Sequence, residues 1–239
     1  MPESIRIFNT SISIYYLFWF TGLLLAFAIG IILRKKFDLS ITKVVLYISY
    51  DIGIGFMLML GMSWLCGGGK LNGINLVRAI YLCGIYFYLL ARLFRDPPGK
   101  VSDLLTIKGA FFFGFVKIGC IFPGCCQGYP SRWGIYSNLS QAICFPVQLV
   151  EAAILLLIGF ILLWMLCKQL APGQLYAYFL LMFGPTRFLC EFLRDNKKLW
   201  FNISELAVHA LIATIVGIAL IAVNQKKRNN DYEKKHSQN

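Results

Sequence analysis

Apolar residues run through the chain in seven long blocks, near residues 14–33, 44–66, 74–94, 104–122, 147–167, 173–190 and 202–223. Each approaches the roughly 20 residues a helix needs to cross the hydrocarbon core of a bilayer. The blocks are continuous instead of recurring at three- and four-residue intervals, so they have no polar face to show to water. The pattern predicts an all-α, polytopic membrane protein with about seven transmembrane helices. The first block has basic residues after it and lacks an Ala-x-Ala cleavage signal, so it reads as a span and not as a removed signal peptide.

Composition sharpens this picture. Of 239 residues, 58% are hydrophobic and 14% charged, and the mean hydropathy is +0.67; ordinary soluble domains are roughly 45–50% apolar and about 25% charged. A net charge of +12 would suit nucleic acid, but Lys and Arg sit between apolar blocks and form no continuous face, so no nucleic-acid partner is expected. In membrane proteins such cations set orientation. With the N-terminus outside, 14 of the 23 basic residues fall on the inside, among them Arg34, Lys35, Lys36, Lys100, Lys226 and Lys227. That favours an external N-terminus and a cytoplasmic C-terminus, with residues 1–223 as one transmembrane domain and 224–239 as an irregular basic tail. Most of the nine outside cations, such as Lys117, Arg187 and Arg194, lie in or beside apolar blocks. A charge in lipid costs on the order of 3 kcal/mol, so these need partners or a ligand.

Three stretches concentrate polar chemistry. Lys117-Ile-Gly-Cys-Ile-Phe-Pro-Gly-Cys-Cys-Gln-Gly-Tyr-Pro ends the fourth block. Its Gly119, Gly124 and Gly128, with Pro123 and Pro130, break the helix and free backbone N–H groups beside Lys117, which would cradle a lipid phosphate; a plain interfacial turn with Lys117 reaching to headgroups is the alternative. Phe145-Pro-Val-Gln-Leu-Val-Glu opens the fifth block. It puts Gln148 and Glu151 on one helical face, with Glu151 either functional or the ion-pair partner of an arginine. In Arg187-Phe-Leu-Cys-Glu-Phe-Leu-Arg, Arg187, Glu191 and Arg194 share a face. Two planar guanidiniums with one carboxylate suit a phosphodiester, or form a helix-end salt bridge. Arg78 follows Gly67-Gly68-Gly69 and Asn72-Gly73 and would contact a headgroup or snorkel. Asp51 and Glu205 stand alone among apolar residues, as structural partners of a cation or as proton carriers.

Eight cysteines complete the inventory. Cys120, Cys125, Cys126 and Cys144 share one outer segment, where a reactive thiolate, a bridge from Cys125 or Cys126 to Cys120 or Cys144, or a soft-metal site are the options. No C-x-x-C is present and no histidine lies near them in sequence, so no zinc and no cofactor are expected.

At these three stretches the sequence resembles the prolipoprotein diacylglyceryl transferase family, seven-span bacterial enzymes that move diacylglyceryl from phosphatidylglycerol to a lipoprotein cysteine. The family's signature, beginning Gly-Arg-x-Gly-Asn and ending Asn-Gly-Glu-x-x-Gly, aligns without a gap on Val116-Lys-Ile-Gly-Cys to Pro123-Gly-Cys-Cys-Gln-Gly. His-Pro-x-Gln-x-x-Glu resembles Phe145 to Glu151, and Arg-Phe-x-x-Glu-x-x-Arg is intact from Arg187 to Arg194. Lys117 stands at the family's arginine, Cys120 at its asparagine, Pro123-Gly124-Cys125 at its Asn-Gly-Glu and Phe145 at its histidine, and no histidine occurs from Cys66 to Gly84. The resemblance implies a bacterial cytoplasmic-membrane enzyme with phosphatidylglycerol as donor and the lipobox cysteine of a prolipoprotein signal peptide as acceptor. Lys117, Arg187 and Arg194 would hold the phosphate, Gln148 and Glu151 would orient the site, and Glu191 would set the arginines. Alternatives are transfer through Cys120, Cys125 or Cys126 as nucleophile, or a lipid-binding protein without catalysis.

Overall fold

The computed structural model describes residues 4–7, 10–70, 76–168, 170, 172–194 and 203–236. A short hairpin, β1 (Ser4–Ile7) and β2 (Thr10–Ser13), leads into α1 (Ile14–Leu33), α2 (Ile41–Cys66), α3 (Cys83–Leu93) and α4 (Pro98–Gly119). A second hairpin follows, β3 (Pro130–Ser137) with β4 (Ala142–Cys144), and then α5 (Val147–Cys167), α6 (Gln174–Glu191) and α7 (Glu205–His236).

A helix appears at each of the seven apolar blocks, with local differences. Ser40 caps α2 by accepting the Lys43 N–H at 3.3 Å, which starts that helix three residues before the apolar run. Pro98 at the first turn of α4 begins it six residues before the block, and α4 ends at Gly119 instead of residue 122. The third block is not one helix. Residues Leu76–Arg78 and Ile80–Leu82 form 3₁₀ turns before the 11-residue α3, because side chains from elsewhere take over the backbone there: Tyr176 Oη donates to Ile80 O at 2.7 Å and accepts from Gly84 N–H at 3.0 Å. The α7 backbone continues to His236, where the sequence pattern predicts an irregular tail; Gln, Lys, Arg and Glu are good helix formers, and cations favour a helix C-terminus.

Among the described residues, four segments are long and apolar enough to cross a membrane: Ile14–Phe37, Ile41–Cys66, Val147–Cys167 and Glu205–Lys226. Helices α4 and α6 fall short because they carry charges, and they occupy the interior. Helix α4 packs on α1, α2, α3, α5 and α6, and α6 also packs on α5 and α7. Small residues allow close approach: a Cβ on Gly119 would lie 3.0 Å from Phe18 Cβ of α1, and one on Gly114 would lie 2.8 Å from Leu156 of α5.

One buried carboxylate sets the register of the two central helices. Asp103, near the start of α4, accepts the N–H groups of Gly173 (2.8 Å) and Leu175 (3.0 Å), so it caps α6. The two helices therefore start level and run parallel. Lys117 lies 14 residues beyond Asp103, and Arg187 lies 14 residues beyond Gly173, so both end about 21 Å along, side by side.

Candidate active site

The charged residues meet where α4 and α6 end and α5 and α7 begin. Glu151, one turn into α5, is the hub. Its Oε2 accepts from Lys117 Nζ and Arg194 Nη2, each at 2.6 Å, and its Oε1 lies 3.2 Å from Arg187 Nε. Arg187 Nη1 pairs with Glu191 Oε2, and Ser204 Oγ donates to Glu191 Oε1 at 2.8 Å. Glu151, Arg187, Glu191 and Arg194 are buried, each at most 5% exposed, while the Lys117 side chain keeps 21% of its surface. Three cations against two carboxylates leave this enclosed group with a charge of +1. Arg187 Nη2 is buried and has no hydrogen-bond partner among the described residues. A buried guanidinium N–H without an acceptor is costly, and a phosphate oxygen is the acceptor its fork fits.

The sequence motifs thus converge, but with different partnerships. Glu191 pairs directly with Arg187 and its charge also acts on Arg194, while the hydrogen-bond acceptor for Arg194 is Glu151 from the facing helix. Sequence spacing along α6 finds the shared face but cannot see α5 across it. Gln148 lies on that face too, yet its Nε2 donates to Cys125 O at 2.8 Å, so it pins the Gly-rich loop. The backbone cradle expected of that loop is not formed by its glycines. Gly124 N–H bonds to Ile121 O (3.2 Å) and Gly128 N–H to Phe145 O (3.0 Å), while Gly119 belongs to α4. Gly128 instead bridges Arg194 in an antiparallel pair, with Tyr129 N–H donating to Leu193 O at 3.2 Å; the loop holds Arg194 in place. Arg78 is buried and forks Glu205 through Nε (2.9 Å) and Nη2 (3.1 Å), with Nη1 donating to Ser63 at 2.9 Å, so it braces α7. Lys197, Lys198, Asn72 and Gly73 lie outside the described residues.

All eight cysteines are free thiols. Cys120 is buried at the end of α4, Cys125 Sγ donates to Cys120 O at 3.6 Å, and Cys144 contacts Ser140 Oγ at 3.2 Å. Cys126 is the most distinctive. It holds φ 61°, a left-handed conformation uncommon for a residue with a side chain. Hydrogen bonds with the Cys120 and Cys125 thiols hold its own thiol well below the usual range, and the charges of Lys117 and Arg194 add to that against the opposing effect of burial. Arg194 also hydrogen-bonds Cys126.

Further down the same helices, an apolar cavity of about 420 Å³ opens among α1, α2, α4 and α6, lined by Trp19, Leu23, Phe56, Phe112 and Phe179, with the ion pair of Asp51 and Lys108 in its wall. Lys108 is nine residues before Lys117, about 13 Å along α4.

A profile of the family described as prolipoprotein diacylglyceryl transferase matches residues 2–223. The chain belongs to that family. Among its relatives, a phosphatidylglycerol–prolipoprotein diacylglyceryl transferase of Clostridium tetani is 28% identical over 167 residues, covering 66% of each chain. A second, numbered 2, of Clostridium perfringens is 26% identical over 54% of this chain and 53% of its own. One of Chlorobaculum tepidum is 25% identical over 74% and 71%. The chain spans about two thirds of the length of the first of these relatives and about half of the second. Family membership agrees with the motifs from Val116, Phe145 and Arg187. Two contributors to the site were not foreseen. Ser204 and Asp103 act through hydrogen bonds 13 and 70 residues away in sequence, and an N-terminal Ser before Glu205 is the only local trace of the former.

Proposed function

We propose that this family member transfers diacylglyceryl from phosphatidylglycerol to the thiol of a prolipoprotein lipobox cysteine. The buried, net-positive group around Glu151, with Arg187 Nη2 left without an acceptor, carries this reading. The phosphate of the donor docks against Lys117, Arg187 and Arg194, displacing part of their contact with Glu151, and Glu191 with Ser204 keeps Arg187 aimed. The acceptor sulfur attacks the glyceryl carbon. A C–S bond forms, the C–O bond to phosphorus breaks, and glycerol phosphate leaves with the electron pair. The thiol proton passes to the released phosphate, which gains basic character on becoming a monoester, so the balance requires no further base. The three cations stabilise the charge gathering on the departing oxygen. An acyl chain of the donor occupies the apolar cavity.

We infer a multi-pass protein of the cytoplasmic membrane with seven crossings, N-terminus outside and C-terminus inside, a reading supported by the apolar segments among the described residues and by the excess of basic residues on the inner side. The 3₁₀ turns from Leu76 to Leu82 with α3 to Leu93 extend about 30 Å at roughly 2.0 and 1.5 Å per residue, enough for the third crossing. In this orientation the site opens on the outer face, and exposed Trp133, 85% accessible on β3, sits at the headgroup level where Trp is favoured.

A second reading rests on Cys126. Its acidic thiol beside Arg194 is a nucleophile in its own right, able to take the glyceryl group and pass it on. Purified protein in phosphatidylglycerol vesicles with a lipobox peptide, read by mass spectrometry, separates the readings. A diacylglyceryl adduct on the peptide, lost in Arg187→Ala and kept in Cys126→Ser, is the expected result. An adduct on the enzyme that Cys126→Ser abolishes would replace it with the covalent route. Lipid binding with the peptide recovered unchanged would leave a lipid-binding protein without catalysis.

A further inference from the structure

A second cluster, separate from the charged group, lies where α2 ends and α7 begins. Cys66 is the last residue of α2, Glu205 the first of α7, and His209 follows Glu205 by one turn. One ligand atom from each, Sγ, Oε and a ring nitrogen, all lie within 4.8 Å of one another. Cys66 Sγ is 3.6 Å from His209 Nε2, and that same nitrogen is 3.6 Å from Glu205 Oε1. The second separation is too long for a hydrogen bond.

Both separations match the edges of a coordination tetrahedron. Bonds of roughly 2.3 Å to sulfur and 2.0–2.1 Å to nitrogen span an S···N edge of about 3.6 Å, and two bonds near 2.1 Å span an N···O edge of about 3.4 Å. The rest of the imidazole is already fixed as a ligating ring requires. Nδ1 is 3.0 Å from Tyr81 Oη, and the two rings stack at 5.8 Å and 12°, which sets the plane and leaves Nε2 to the cluster. Arg78 forks Glu205 from the other side, but each carboxylate oxygen has a further lone pair to offer. A thiolate and a carboxylate neutralise a divalent ion, which offsets the nearby guanidinium. Cys66 is exposed and Glu205 and His209 are half-buried, so a water molecule can reach the fourth position.

We propose that Cys66, Glu205 and His209 form a binding site for a borderline divalent ion of the zinc type, completed by water. The donor set of thiolate, imidazole and carboxylate selects against Mg²⁺ and Ca²⁺, which take oxygen ligands. The ion ties the end of α2 to the start of α7, next to Ser204, which holds Glu191. It therefore steadies the region beside the charged group without belonging to it.

The test uses full-length, tag-free protein in detergent micelles, stripped of metal and titrated with Co²⁺. The expected result is one Co²⁺ per chain, with the d–d bands of a tetrahedral site and a near-ultraviolet thiolate charge-transfer band. Cys66→Ser removes that charge-transfer band, and His209→Ala and Glu205→Gln each weaken binding by at least tenfold. Tyr81→Phe, which keeps all three ligands and is the least disruptive to folding, weakens binding by about 10- to 100-fold. Cys167→Ser, at the far end of α5, changes nothing. A thiolate band that survives Cys66→Ser in folded protein would place the ion at other cysteines and overturn the proposal. So would the absence of any tetrahedral spectrum at millimolar Co²⁺, which would leave Cys66 and His209 as a metal-free thiol–imidazole pair.

Discussion

Glu151 holds three cations at once, and its loss would be felt beyond the reaction. Removing one partner of a buried ionic group leaves uncompensated charge and costs roughly 3–5 kcal/mol. Glu151→Ala is therefore expected to lower the thermal midpoint in micelles and to reduce the yield of folded protein, whereas Lys117→Ala, at a partly exposed position, does so far less. At Cys126 the prediction concerns pH. A thiol held below its usual range keeps its thiolate form to lower pH than a free cysteine and loses it as the pH falls through the lowered value. Alkylation of Cys126 should thus reach its plateau below pH 8.5, and Lys117→Ala should move the plateau upward; a profile centred on the ordinary thiol value in both proteins would contradict the electrostatic account. The motifs named every ionic residue of the site, because intramembrane charges stand out against an apolar background, and missed the neutral hydroxyl of Ser204. They did not name the partners. The pairing of Glu151 on α5 with Arg194, just beyond α6, joins residues 43 apart in sequence, and no local periodicity encodes it. His209 is the sharper case: within its own block it is a single polar residue among apolar ones, and only α2 and the 3₁₀ turns bring Cys66 and Tyr81 to it.

Elements place these groups. The Asp103 cap levels α4 with α6, and the segment from Gly124 to Tyr129 clamps the end of α6. Gly128 has no room for a side chain: a Cβ there would lie 2.7 Å from both Leu193 O and Phe145 O. Gly128→Ala is expected to push the bridge to Arg194 apart, destabilise the protein by about 1–3 kcal/mol and reduce transfer at least tenfold, as followed by thermal unfolding and peptide modification. Helix positions were legible from apolar run length alone, since α1 and α5 begin within the bounds of their blocks. The third block was not, because the same apolar composition serves a helix or a pair of 3₁₀ turns, and the choice fell to Tyr176 on α6. The free amides expected of the Gly-rich loop failed for a related reason: a break in a helix releases N–H groups, but the carbonyls of Ile121 and Phe145 recapture them.

At the scale of the whole molecule, the charged group at one end and the apolar cavity below it suit a ligand with an ionic head and a long tail. Gly109 lines that cavity, and a Cβ there meets nothing within 4 Å. Gly109→Leu should stabilise α4 by about 0.5–1 kcal/mol while filling the space. The expected outcome is higher thermal stability with slower transfer from long-chain donors and little change with short-chain ones; equal losses for both would remove the acyl chain from the cavity. The central position of α4 and α6 also bears on how the chain is made. Each helix leaves the ribosome in order, and α4 arrives with Lys117 while its counter-charge, Glu151, is still unmade on α5. Helix α5 supplies the first counter-charge, Glu151, and Arg187, Glu191 and Arg194 join it last. Helix α4 is therefore expected to stay beside the translocation channel until its partners are synthesised, and a chain truncated before α5 is expected to fail to integrate its fourth helix, as read by a membrane-insertion assay.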